Sequence, residues 1–504
     1  MKEKFVVSIV LPFTTTLFLI FSNYVLALNL DVNLMGDWAY LNSIIAIGFL
    51  FINVGFDSIH YQYSGKKNFD DYSGSYLLLK FSLLIINIIL TLSLIFITNL
   101  WNSSYFPILI LLLFSQTGFT LNNIFSITLR AKTKIFKCEF TLFAGKSFKA
   151  LLILLVALNL SILKDPLILL GGIYLSTEIL SIIIFSFVTK KEFHVSKPRK
   201  SFIISYIKDT KPLILVSIIF ILTQNIGNLI LYHSWGSESL AYFNVVNINI
   251  ITVLGSITYS LRPLCFSLYA KYFENRDFSS IKFISQKIER FSSILFLPII
   301  LIVLLNGTLI FEVFLPNYLN AAPVLYIMIF SPFLLSIGRP YYFQLTPGKH
   351  QKQSAIVDIS VQLFSLILIL ILVPKEIFSI KMLGLGIIGY ALALTIPRIY
   401  YIFISFYFSK KYFNIKSEKH FLIHFLIAII ALIINLPIKI FIIEPFLVSN
   451  VLVLLISSGV VLILFFGILI LIKELTKDDF FFVLDLFRIK NYATSFKDEF
   501  KEEK

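Results

Sequence analysis

Four charged residues stand deep inside long apolar stretches of this 504-residue chain: Lys146, Lys149, Glu178 and Arg398. A charge at membrane depth costs at least ~2.5 kcal/mol on insertion scales, so it faces a cavity or a partner. Lys146 and Lys149 are three residues apart and share a helix face. Together they suit the capture of an anion; the alternative is that both amines snorkel to lipid headgroups from a helix that begins in the cytoplasm. Glu178 is about twelve residues from either end of its stretch. It and Asp57 are the candidates for coupling to a proton or a sodium ion, with a structural role as the alternative for Glu178. Arg262, Lys80 and His60 fall near the cytoplasmic ends of their stretches, where snorkelling is expected and anion capture is the alternative.

Uncharged polar residues cluster on particular stretches. Asn23 and Tyr24 lie in the first, Tyr40 and Asn42 in the second, Asn225 and Asn228 in the seventh, and Tyr242 and Asn244 in the eighth. Amides buried in hydrocarbon need hydrogen-bond partners. Helix–helix bonding accounts for some of them. Their concentration on four stretches points to a wet central cavity whose lining suits a sugar or a polar drug.

Nucleotide and metal chemistry find little support. Gly145-Lys146-Ser147 resembles the end of a phosphate-binding loop, but Phe140 occupies the position of the required glycine. The segment also opens an apolar stretch instead of following a strand. His420 and His424 share a helix face, yet no Glu follows His420 and no third ligand is evident. They read as an interfacial pair, and neither a metal nor a cofactor is expected. Cys138 and Cys265 fall on the cytoplasmic side, where disulfides do not persist, and neither has a second thiol or histidine at metal spacing.

The elements that position these residues follow from composition. With 58% hydrophobic and 14% charged residues and a mean hydropathy of +0.89, the chain reads as a polytopic membrane protein. Stretches long enough to cross a hydrocarbon layer as helices lie near 5–28, 38–61, 75–98, 105–129, 139–161, 167–188, 210–232, 241–264, 291–315, 321–341, 354–373, 383–408, 419–441 and 447–472. The first six recur as the next six. An offset of 202 places Asn23 on Asn225 and Ala39-Tyr40-Leu41-Asn42 on Ala241-Tyr242-Phe243-Asn244, and an offset of 220 places Glu178 on Arg398. The expected fold is therefore all-α, with about fourteen transmembrane helices. Two parallel six-helix lobes are related by a pseudo-two-fold axis along the membrane normal, and two accessory helices follow. The boundaries are an N-lobe at 1–190, a C-lobe at 206–411, accessory spans at 419–472 and a cytoplasmic tail at 473–504, amphipathic and then charged. The segment 264–290 is read as the longest loop. Cations concentrate in alternate loops, as in Lys66/Lys67, Lys190/Lys191 and Lys410/Lys411, whereas Lys164, Lys375 and Lys381 stand nearly alone in the others. Both termini are thus expected in the cytoplasm, and the net charge of +15 is read as topogenic and lipid-facing, with no nucleic-acid partner.

Several stretches carry a family resemblance: Gly36-Asp37-Trp38-Ala39-Tyr40-Leu41-Asn42, the run from Phe314 to Leu325 that contains Pro316-Asn317-Tyr318, and Leu383-Gly384-Leu385-Gly386-Ile387-Ile388-Gly389-Tyr390-Ala391. With the six-six-two arrangement, the chain resembles the polysaccharide-export, O-antigen flippase-like branch of the multidrug/oligosaccharidyl-lipid/polysaccharide (MOP) exporter superfamily. The resemblance implies a non-enzymatic flippase of the bacterial inner membrane. It would move an undecaprenyl-pyrophosphate-linked oligosaccharide by alternating access, with membrane lipids around it and a polymerase and other surface-polysaccharide assembly proteins as partners. His60 stands where such proteins often have an arginine, and Gly227-Asn228 where they often have an Asp-Arg pair. That moves attention for anion capture to Lys146, Lys149, Arg262 and Arg398. A drug exporter on the same fold and a membrane polymerase or glycosyltransferase are the alternatives. The short, nearly uncharged external loops count against the enzymes.

Overall fold

The computed structural model describes residues 2–52, 54–64, 69–132, 134–159, 165–190, 196–260, 262–446 and 449–475. Expected features at Lys66, Lys67, Lys164 and Lys191, and in the tail from residue 476 onward, lie outside the described residues. In chain order the helices are α1 (Lys2–Asn29), α2 (Val32–Gly48), α3 (Phe56–Tyr63), α4 (Phe69–Ile97), α5 (Phe106–Ala131), α6 (Ile135–Leu158), α7 (Pro166–Thr189), α8 (Lys200–Val246), α9 (Thr252–Ser260), α10 (Arg262–Glu274), α11 (Phe278–Phe314), α12 (Ala322–Met328), α13 (Phe330–Tyr342), α14 (Gln351–Leu372), α15 (Gly386–Phe413), α16 (His420–Ile438), the single turn α17 (Glu444–Phe446) and α18 (Asn450–Leu471). A hairpin of two-residue strands, β1 (Glu376–Ile377) and β2 (Ile380–Lys381), joins α14 to α15.

Among the described residues, eleven helical runs are long and apolar enough to cross a membrane. This is a multi-pass membrane protein. Three local features separate eleven from the fourteen expected. Within α1 the apolar run is the shorter Thr14–Asn29. The second expected span is broken between Gly48 and Phe56, so neither α2 nor α3 is long enough alone. The seventh and eighth run on from Leu213 to Ser256, with Gly236 leaving helical geometry at φ 87° and ψ 172°. That left-handed backbone is open to glycine and strained for other residues. The 264–290 segment also differs from expectation, being α10 and the first turns of α11 instead of a loop. Asp277 nucleates α11 by accepting hydrogen bonds from the Ser280 amide at 3.0 Å and the Ser279 hydroxyl at 2.6 Å.

The helices invert the soluble pattern, because apolar side chains face lipid and polar ones face protein. On α4, Phe81, Ile85, Ile89 and Phe96 are exposed, while Lys80, Asn87 and Thr91 are buried. Those buried polar groups serve the break in the second span. The Asn87 side-chain Oδ1 accepts from the Phe51 amide at 3.0 Å, and Lys80 Nζ donates to the Ile52 backbone carbonyl at 2.9 Å. Backbone groups freed at membrane depth must find such partners.

Packing divides the described chain into a first unit through Ala241 and a second from Tyr242. In the first unit α1 lies along α6, α5 along α7, and α6 on α7. The first limb of α8, the seventh expected span, also packs here: Asn228 donates to Ser43 Oγ at 2.9 Å, and Tyr232 donates to Asp37 at 2.8 Å. In the second unit α15 packs on α13 and α14, and α11 packs on α13, α16 and α18.

Candidate functional site

Three helices of the first unit present polar faces to one cavity. At spacings of three and four residues, α5 contributes Asn122, Ser126 and Arg130, α6 contributes Gly145, Lys146 and Lys149, and α7 contributes Thr177, Glu178 and Ser181. Leu19 of α1 and Phe119 and Leu142 add apolar wall, enclosing about 290 Å³. Two glycines allow the helices to close. A Cβ on Gly118 would stand 2.8 Å from Glu178 Cβ, and one on Gly145 would stand 2.1 Å from Ser181 Oγ. Small residues at such crossings let membrane helices approach.

Glu178 is held by one amide. Asn122 Nδ2 donates to Glu178 Oε2 at 2.7 Å and to the Glu178 backbone carbonyl at 3.1 Å. Among the described residues no ion pair joins Glu178 to either lysine, although both act on it electrostatically. Lys149 Nζ instead lies 3.1 Å from the centroid of the Tyr174 ring, a cation–π contact of the kind that strengthens when water is excluded. Tyr174 in turn meets Trp38 edge-on at 5.1 Å. Arg130 is committed to Glu139, with Nη2 and Nε at 2.9 and 3.0 Å from Oε1. Two lysines against one glutamate, with Arg130 balanced by Glu139, leave the cavity one positive charge in excess. That balance of charge suits an anion held beside an acid.

Of the candidates singled out from sequence, the cavity gathers Lys146, Lys149 and Glu178. Asp57 accepts from Lys80 at 2.8 Å, Tyr76 at 2.8 Å and Asn123 at 3.0 Å. Lys80 is 1% exposed, so it forms a buried ion pair and does not snorkel. His60 is also fully buried instead of reaching outward: its Nδ1 is 2.7 Å from the Tyr206 hydroxyl, and its ring stacks on Tyr76 at 3.9 Å. Asn42 and Asn225 donate to carbonyls of their own helices, Trp38 at 2.7 Å and Ile221 at 2.9 Å. Asn23 and Tyr24 are half-buried on α1. Asn244, Arg262 and Arg398 belong to the second unit, where Asn244 is buried and Arg262 is exposed with its guanidinium 5.2 Å from the Phe266 ring.

Sequence reading missed Asn122, Tyr174 and Asp358. Asn122-Asn123 was a visible signal, being adjacent amides inside an apolar stretch, and Asp358 was the lone acid of its span. In the second unit Asp358 accepts from the Tyr342 hydroxyl at 2.6 Å, and Ser354 donates to that hydroxyl at 2.8 Å. Arg262 and Arg398 both act on this carboxylate.

No protein-family model matches the sequence, and no curated relative does. The fold, however, is shared with solved membrane proteins. The lipid II flippase MurJ in an inward closed conformation superposes with a TM-score of 0.67 at 16% identity, covering 91% of this chain and 97% of that one. An inward-facing multidrug resistance MATE family transporter gives 0.63 at 13% identity, covering 79% and 94%. A MOP superfamily transporter from Pyrococcus furiosus gives 0.55 at 12% identity, covering 82% and 94%.

Proposed function

We propose that this protein is a flippase for an undecaprenyl-pyrophosphate-linked oligosaccharide, a repeat unit of O-antigen, capsule or related surface polysaccharide, acting by alternating access in a bacterial inner membrane. The observation that carries the reading is the cation-excess cavity between α5, α6 and α7 inside a MOP-type fold. Lys146 and Lys149 hold the pyrophosphate, the polar amides of the spans meet the sugar, and the polyprenyl chain stays in lipid. The fuller match to the flippase supports the reading: the MATE alignment leaves about a fifth of this chain unmatched and the MurJ alignment about a tenth. The proposed moving lobes are 1–190 and 206–411, with 419–472 as accessory spans and both termini cytoplasmic. Glu178 is the proposed proton or sodium group. Asp57, engaged by Lys80, is the weaker coupling candidate.

The test is deletion of the gene followed by analysis of surface glycan. Loss of the glycan, restored by the wild-type chain but not by a Lys146→Gln/Lys149→Gln chain that inserts normally, is the expected result. Normal glycan in a strain without a redundant exporter would overturn the reading. The second reading, a MATE-like exporter of small molecules, is favoured by the compact size of the cavity. It expects raised drug susceptibility with glycan intact.

A further inference from the structure

The connection between α14 and α15 is a hairpin in which Ile377 pairs with Ile380 and Glu376 with Lys381. Its two turn residues, Phe378 and Ser379, have φ of 48° and 64°. Positive φ at both positions defines the turn type that Asn-Gly normally supplies, and a bulky aromatic there is an outlier that its surroundings must hold in place. The end of α14 does so. The amides of Leu383, Gly384 and Leu385 donate to the carbonyls of Ile371, Pro374 and Leu372 at 3.1, 2.9 and 2.8 Å, and Met382 donates to Lys375 at 2.9 Å. The bonds to Ile371 and Leu372 satisfy orphan carbonyls of the helix, and together the four fasten the hairpin to its end.

What is fastened is an apolar tip with no protein beneath it: Phe378 is 95% exposed and Ile380 62%. An arm of three residues reaches only ~10 Å beyond its root, a distance comparable with the headgroup layer of a bilayer. Because α14 and α15 are both membrane spans, the tip lies where that layer begins. Lys381 is exposed beside it.

We propose that this hairpin docks on lipid: Phe378 and Ile380 enter the boundary between headgroups and acyl chains, and Lys381 rests on acidic headgroups. The occupant is the bilayer surface. Apolar tips flanked by lysine bind such interfaces, and their affinity rises with acidic lipid. The positive φ at Phe378 then serves a purpose, presenting the ring at the apex instead of folding it back on the strands.

The experiment uses the full chain in nanodiscs. Cys138 and Cys265 are buried, so Phe378→Cys labels selectively with a polarity-sensitive fluorophore, and at 95% exposure the substitution removes no packing. A blue-shifted emission that drops about twofold with shallow spin-labelled lipid supports docking. Adding Lys381→Glu should then reduce the quenching in acidic-lipid discs and leave it unchanged in neutral ones; equal quenching in both discs would remove the headgroup contact. Emission characteristic of water, quenched only by a soluble reagent, would overturn the proposal. So would shielding seen in native membranes and lost in pure lipid, which would make the occupant a protein.

Discussion

Lys80 and Lys149 show how the same side chain on a membrane-spanning helix is used in two ways. Lys80 bridges the Asp57 carboxylate and the Ile52 carbonyl, so its charge is spent within the protein. Removing one partner of a buried pair leaves the other uncompensated, which destabilises by about 3–5 kcal/mol. Lys80→Met is expected to lower the thermal unfolding temperature of the full chain in detergent, and Lys80→Met/Asp57→Asn is expected to recover most of the loss. A double variant as unstable as the single one would show that packing, not charge, dominates. Lys149 has no carboxylate partner among the described residues and rests on Tyr174, so its charge is available to a ligand. One charge-assisted hydrogen bond contributes about 1.5–3 kcal/mol, so Lys149→Gln should weaken binding of a pyrophosphate-bearing lipid by roughly ten- to hundredfold. Lys149→Arg, which keeps the charge, should weaken it far less. Equal affinities for the two variants would remove Lys149 from anion capture.

At the scale of elements, the closeness of α5, α6 and α7 depends on Gly118 and Gly145. A leucine at Gly145 would strike the Ser181 hydroxyl, and overpacking of this kind typically costs about 1–3 kcal/mol. Gly145→Leu should therefore reduce stability and ligand binding together, whereas Gly172→Leu on the same bundle, with open space at its Cβ, should change neither. The start of α11 offers a pH test. The Ser279 and Ser280 hydroxyls and the Ser280 amide hold the Asp277 carboxyl down, at about 2 against an ordinary 3.8. A depressed acid stabilises the folded form above its ordinary value and loses that contribution as pH falls through the depressed one. Hydrogen exchange at the Ser279 and Ser280 amides should accelerate in Asp277→Ala at neutral pH, and the difference from wild type should shrink as pH falls through about 2 and vanish below it. Uniform protection in the variant would remove Asp277 as the cap. The long helical runs were legible because eighteen or more apolar residues leave a helix little competition. The break at 49–55 was not, because its cause lies in the Asn87 and Lys80 side chains of another helix.

For the whole molecule, the internal repeat pointed to two related halves, and it made Glu178 and Arg398 equivalents. The structure adds that each unit places opposite charges on successive helices in opposite order. Lys146 and Lys149 lie on α6 with Glu178 on α7, and Asp358 lies on α14 with Arg398 on α15. Pattern reading found the first set because its charges interrupt apolar runs. It overlooked Asp358 because one acid near a polar helix start looks ordinary until its neighbours are known. The packing of the seventh span with the first unit was equally hidden, since a repeat reports ancestry and not contact. Of these acids, Glu178 shares a cavity with Lys146 and Lys149, so an anionic ligand bound there and the negative carboxylate would compete for the same lysines. Protonation or sodium binding at Glu178 would relieve that competition, which is a physical basis for coupling. The expected outcome is that Glu178→Gln inserts and folds as wild type and binds the anionic ligand at least as tightly. Its transport should no longer respond to an imposed proton or sodium gradient, measured in proteoliposomes. Transport that still follows the gradient in that variant would place the coupling group elsewhere and leave Glu178 as the anchor of Asn122 alone.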